Sequence, residues 1–143
     1  TVEVPFGGHP RVDFWQVDAM ALPFPNAAFS MMTSINVLDC LPVPMQHLHS
    51  LGTLVAPDGT ALLSTPFDWS PNASPVEAWI GGHGQRNEVG GSSETWLERL
   101  LCGADGVPGH GWRICGKEDI PWTVRIHARN RVEYLTRLLV LTR

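Results

Sequence analysis

The sequence predicts an α/β fold with its strands and helices in three layers. Three observations carry this. Residues 12–41, VDFWQVDAMALPFPNAAFSMMTSINVLDCL, read as a strand, an acidic turn, a Pro-rich loop and a second strand that ends on a polar residue. A stretch of helical periodicity and a third apolar strand come next. The second and third strands are nearly continuous in apolar, Ser and Thr residues rather than alternating, as strands buried on both faces of a parallel sheet are.

Residues 1–11 hold Pro5, Gly7, Gly8 and Pro10 and read as an irregular lead-in. Gly7-Gly8 lacks the spacing and the flanking strand and helix of a phosphate-binding loop. The stretch from Val12 to Val17 is short and β-rich, and Asp18 falls at its end. Pro23 and Pro25 keep residues 20–28 in a loop. Phe29 to Ile35 is the second strand, with Asn36 at its end. Pro42 and Pro44 suit the start of a helix. Met45, Leu48, Leu51, Leu54 and Val55 then recur at helical spacing, until Pro57-Asp58-Gly59 turns the chain. Thr60 to Thr65 is the third strand.

Residues 66–91 form a loop long enough to be a functional lid, and Trp69, Trp79 and Ile80 argue that it is ordered. Ser92 or Ser93 caps a helix over about 94–101, stopped by Gly103. Residues 106–111 are loop. Trp112 to Ile126 is extended and broken by Pro121, and Arg129 to Arg131 is a polar turn. Val132 to Leu141 ends the chain as a strand, although Leu135, Leu138 and Leu139 also fit a helical period.

At 143 residues the chain is expected to be a single domain over 1–143. A net charge of −4 argues against a general nucleic-acid or membrane-surface binder. The charge is uneven: residues 1–92 carry a net −6 and residues 93–143 a net +2. The three cysteines form no CxxC and are odd in number, so reduced thiols in a cytoplasmic protein are expected. No apolar run approaches the ~18 residues of a transmembrane helix.

The residues Asp18-Ala19, Leu22-Pro23-Phe24-Pro25, Phe29, Asn36-Val37-Leu38-Asp39 and the run Leu54 to Gly59 before a strand together resemble the second half of a class I S-adenosylmethionine-dependent methyltransferase. That family shows a strand ending in Asp-Ala, an LPF-type loop, an FD-plus-hydrophobic strand, a helix and a VLxPGG-type turn. Here the turn reads LVAPDG and the FD reads Phe29-Ser30. The resemblance implies a partial Rossmann-like methyltransferase sheet, equivalent to the third through seventh strands of the family order 3-2-1-4-5-7-6, closing in an antiparallel hairpin. The family's Gly-rich loop and its ribose-binding acidic residue do not occur in these 143 residues. The chain is therefore expected to be N-terminally truncated relative to that family.

The resemblance also implies roles. A carboxylate at Asp18 accepts from the adenine amino group, and the backbone of Ala19 and Met20 meets the ring edge. Asn36 and Val37 lie beside the methionine part of the cofactor, outside the carboxyl end of a strand. Trp69, Trp79, His83 and Arg86, on the loop after the third strand, are the candidates for holding a small-molecule acceptor. The implied activity is transfer of a methyl group from S-adenosylmethionine to that acceptor. It rests on positioning, so no catalytic residue is assigned. The alternative is a non-catalytic, oligomeric binding protein. In it the unpaired edge of the strand from Val12 to Val17 associates with a second copy.

Other patterns carry less. His47 and His49 are two apart on a predicted helix, point to different faces, and are expected at the surface. No HExxH, GxSxG or Cys–His signature occurs, so no metal is expected and hydrolase chemistry is unsupported. Arg125, His127, Arg129 and Arg131 alternate and are expected on one exposed strand face.

Overall fold

The computed structural model describes residues 11–82, 84, 89–103 and 111–143. The lead-in before residue 11, the loop at 106–110, and the candidates His83 and Arg86 lie outside the described residues. Six regular elements follow in order: β1 (Phe29–Ile35), α1 (Pro44–Leu54), β2 (Val55–Thr65), α2 (Ser93–Cys102), β3 (Arg113–His127) and β4 (Asn130–Thr142). Single 3-10 turns occur at Leu38–Cys40 and Val76–Ala78.

The strands form one sheet in the order β1-β2-β4-β3. β1 and β2 are parallel, β4 is antiparallel to β2, and β3 is antiparallel to β4. This is the order of the last four positions, 4-5-7-6, of the sheet that the sequence resembles. The parallel pair is joined by a helical crossover, α1, as parallel neighbours require.

One face of the sheet carries the core. Ala61 stands opposite Leu141, and Leu63 opposite Leu139. All four are buried with Leu48 and Leu51 of α1, Leu97 and Leu101 of α2, and Val55, Ile80 and Trp112. The helices form for local reasons. Pro44 starts α1, where a missing N–H costs nothing. The Ser92 hydroxyl accepts from the Thr95 N–H at the start of α2, and Gly103, at φ 68°, ends it.

The turn expected at Pro57-Asp58-Gly59 is a bulge inside β2. The register steps from Phe29↔Val55 to Met31↔Thr60, so β2 advances five residues while β1 advances two. A Cβ at Gly59 would stand 2.6 Å from Val55 Cγ1 and 2.7 Å from the Ala56 carbonyl oxygen, so only glycine fits.

Residues 12–17 are not a strand. Among the described residues it joins no strand ladder, and local bonds help to hold it. The Asp13 carboxylate accepts from the Phe14 N–H and from the Trp15 indole N–H, both at 2.9 Å. Trp15 then packs on Phe24, and Phe24 edge-on against Phe29. Phe14 and Trp15 remain 76% and 62% exposed. Among the described residues β1, like β3 at the other side of the sheet, has no neighbour on its outer edge.

Pro121 does not break β3. The strand runs through it as an edge strand, where a missing N–H faces no partner. β2 pairs with β4 only as far as Thr65↔Arg137, while β3 and β4 stay paired from Ile120↔Thr136 to His127↔Asn130. The hairpin therefore projects as a two-stranded arm beyond the carboxyl end of β2.

Candidate functional site

In an open α/β sheet the loops after parallel strands build the binding site. Here these are residues 36–43 after β1 and 66–92 after β2, with the hairpin arm projecting past the same end. Asn36 leaves β1 at φ 53°, a left-handed conformation that asparagine tolerates. Its N–H bonds the Ser64 carbonyl at 2.9 Å, and its side-chain oxygen accepts from the Ser64 hydroxyl at 2.9 Å. The carboxamide nitrogen remains as a donor. Val37 beside it is half-buried.

Asp18 forms the turn expected of it. Its Oδ1 accepts from the Met20 N–H at 2.8 Å, and its carbonyl from the Ala21 N–H at 3.0 Å. His47 is buried, not at the surface as expected, and it fixes this turn in place. Its Nδ1 lies 3.0 Å from the Ala19 carbonyl oxygen, and its Nε2 lies 2.8 Å from Ser34 Oγ. A carbonyl only accepts, so Nδ1 carries a proton, and in the neutral ring the Ser34 hydroxyl donates to Nε2. The chain Ala19–His47–Ser34 thus holds the 18–20 turn against the last turn of β1. Asp18, Ala19 and Met20 are brought to the same end of the sheet as Asn36 and Val37.

The adenine contact that the resemblance implies would fall on this turn. Asp18 is exposed, and only one of its carboxylate oxygens serves the turn. The Met20 N–H is spent on that carboxylate, and the Ala19 carbonyl on His47, so backbone contacts to the ring are fewer than the resemblance implies.

Trp69 and Trp79 stand together but apart from Asn36. Their rings stack at 6.4 Å and 17°. The Trp69 indole N–H donates to Ser93 Oγ, and that of Trp79 to the Ser74 carbonyl, both at 3.1 Å. Trp69 packs on the core, and Trp79 lines a cavity of about 360 Å³ with Pro44, Met45, Ile80, Trp96 and Leu100. Both indoles tie the long loop down, and neither lines the cleft that contains Asn36.

That cleft, of about 240 Å³, lies between the carboxyl ends of β1 and β2 and the arm. Asn36, Asp39, Cys40, Pro66, Asp68, Trp122, Val124 and Tyr134 line it. The Asp68 N–H donates to Asp39 Oδ2 at 2.7 Å, joining the two loops. Burial raises the Asp39 carboxyl above the usual carboxylate range, and the Asp68 charge adds to this. Of these residues sequence reasoning found a role for Asn36 alone. Asp39 and Asp68 follow the ends of β1 and β2 by four and three residues, a regularity visible once both strand ends are known. Trp122 and Tyr134 meet only through the hairpin register.

No protein-family model matches this chain, and no curated protein matches it. Solved structures do. An S-adenosylmethionine-dependent methyltransferase from Methanosarcina mazei aligns over 89% of this chain with a TM-score of 0.53 and 12% identity. A protein from Bacillus halodurans classed among methyltransferases aligns over 94% with a TM-score of 0.58 and 14% identity. The [4+2]-cyclase SpnF aligns over 77% with a TM-score of 0.50 and 26% identity. The chain spans 65%, 73% and 36% of the length of these three proteins respectively. The fold is that of S-adenosylmethionine-dependent methyltransferases.

Proposed function

We propose that this chain is part of a methyl-transfer domain that takes S-adenosylmethionine and a small-molecule acceptor at the carboxyl end of its parallel strands. One observation carries the reading. The Ala19–His47–Ser34 chain joins the 18–20 turn to the end of β1, so the two groups of cofactor candidates share one end of the sheet. Asp18 would accept from the adenine amino group, and Asn36 would offer its carboxamide N–H to the methionine part. The cofactor, when bound, supplies an activated methyl group. The protein's own task is to hold the acceptor in line with it.

The test is calorimetric titration with S-adenosylmethionine. Saturable binding in the wild type, weakened about tenfold or more by Asp18→Ala, supports the reading; such a loss is about 1.4 kcal/mol. No heat and no thermal shift at millimolar cofactor would sink it for this chain. A cytoplasmic location belongs to the same reading and agrees with three unpaired, exposed cysteines.

A second reading rests on a different observation. Among the described residues β1 has no neighbour on its outer edge, and Met31 and Ile35 of β1 are about half exposed. Val12, Phe14, Trp15 and Val17 are exposed as well. An unpaired edge of this kind is a template for a second copy of the chain. The reading is then a non-catalytic, oligomeric binding protein. One fold hosts several reactions, and a [4+2]-cyclase stands among the similar structures.

A further inference from the structure

The cleft at the ends of β1 and β2 is strongly one-sided in charge. Asp39 and Asp68 both line it, and among the described residues no Lys, Arg or His does. Asp39 is 2% exposed. Its Oδ2 is satisfied by the Asp68 N–H, while among the described residues its Oδ1, close to the Thr65 hydroxyl, makes no well-formed hydrogen bond. A buried acceptor without a well-formed bond is costly, and a carboxylate more so than a neutral group. Asp68 adds a second carboxylate at the rim, on the same cleft as Tyr134. Trp122 stands directly across the hairpin from Tyr134, 45% exposed. The cleft therefore combines an incompletely bonded buried carboxylate, a second carboxylate and two aromatic rings.

The titrations of its walls agree. Burial raises the Cys40 thiol, and the Asp39 and Asp68 charges raise it further. The neighbouring Asp68 carboxylate raises the Tyr134 hydroxyl, with the Asp39 charge adding. In both groups the charges of Asp39 and Asp68 add to the shift, in keeping with the two acidic side chains that line the cleft. The cleft's volume, about 240 Å³, lies below the ~300–1,000 Å³ usual for drug-sized ligands. A divalent cation is the competing occupant. Among the described residues, however, no group of three or more His, Cys, Asp or Glu is placed to hold a metal.

We propose that this cleft binds a small organic ammonium ion, an amine carrying a short or flat apolar substituent. Its N–H groups serve Asp39 Oδ1 and Asp68, and its apolar part lies against Trp122 and Val124. Only the further step, that this amine is the methyl acceptor, rests on the methyl-transfer reading.

Benzylamine is the probe, followed through the Trp122 indole N–H by nitrogen-15 NMR, with no S-adenosylmethionine present. Saturable binding at about 1 mM or tighter is expected. The uncharged analogue benzyl alcohol should bind about tenfold more weakly or worse, because it cannot form the ion pair. Asp68→Asn should weaken benzylamine about tenfold, and Asp39→Asn at least as much. Asp68 is exposed, so its variant keeps the test open even where Asp39→Asn does not fold. The proposal is overturned by any of four results: no saturable shift, equal affinity for the alcohol, unchanged affinity in Asp68→Asn, or displacement of benzylamine by equimolar magnesium chloride. Cofactor binding without amine binding defeats this proposal alone, and amine binding without cofactor binding defeats only the methyl-transfer reading.

Discussion

His47 is the residue on which the candidate site's geometry depends most. It is buried and makes two hydrogen bonds, to Ala19 and to Ser34, that join three separate parts of the chain. His47→Ala removes both and leaves a void, so it should destabilise the fold by about 2–4 kcal/mol, measured by urea denaturation. Asp39 gives a pH prediction. Its pKa in the folded protein lies above its ordinary value near 3.8, because burial disfavours the charged form. The folded state then holds more protons than the unfolded state across the interval from about 3.8 to the raised value. Stability accordingly falls as pH rises through that interval. Asp39→Asn should abolish this part of the slope, read from denaturation midpoints between acid and neutral pH. Gly59→Ala should cost about 1–3 kcal/mol, since its Cβ collides with backbone that has no room to yield. Two of these three residues show their importance only in contacts across the chain. In the sequence His47 is one of a pair of histidines on a helix, and nothing local separates it from exposed His49.

At the scale of elements, the arm and the sheet differ in stability. The arm, residues 120–127 and 130–136, has only its own hairpin ladder beyond the end of β2. A two-stranded ribbon is marginal alone. Its cross-strand pairs Trp122↔Tyr134 and Val124↔Val132 sit largely outside the core. Amides of Val124 and Val132 should therefore exchange with solvent by local opening, while those of Leu63 and Leu139 should need global unfolding. Native-state hydrogen exchange checks this, and equal protection in both places would contradict it. The root of the arm is tied to α2 by ion pairs of Glu98 with Lys117 at 3.1 Å and with Arg137 at 3.7 Å, and Asp119 pairs with Arg137 across the hairpin. Glu98 and Arg137 are partly buried and Lys117 and Asp119 exposed, so Glu98→Ala should cost about 1 kcal/mol. Capping was legible locally. Ser92 and Gly103 bound α2 as their residue types suggest, because capping depends on a few adjacent residues. Pro121 read as a break because an edge position is a property of the sheet, not of the strand.

For the whole molecule the open edge of β1 decides the next experiment. Paired with a second copy, the chain at tens of micromolar should sediment above its 15.7 kDa monomer mass. Replacing Met31 and Ile35 with lysine should return it to a monomer, since charge on an exposed edge blocks pairing. A monomeric wild type would remove the oligomer reading. Among the described residues no helix is long and apolar enough to cross a membrane.

The sequence by itself determined the order and type of most elements. Its apolar runs, its prolines and its helix caps act over a few residues, and those forces are written locally. It also placed Asn36 at a strand end. The tertiary structure alone decided that residues 12–17 form no strand, because a strand exists only with a partner. It alone brought Asp39 and Asp68 together beneath Trp122 and Tyr134, residues up to 95 positions apart. A cleft of this kind is made by sheet order and hairpin register. No window of the sequence contains either.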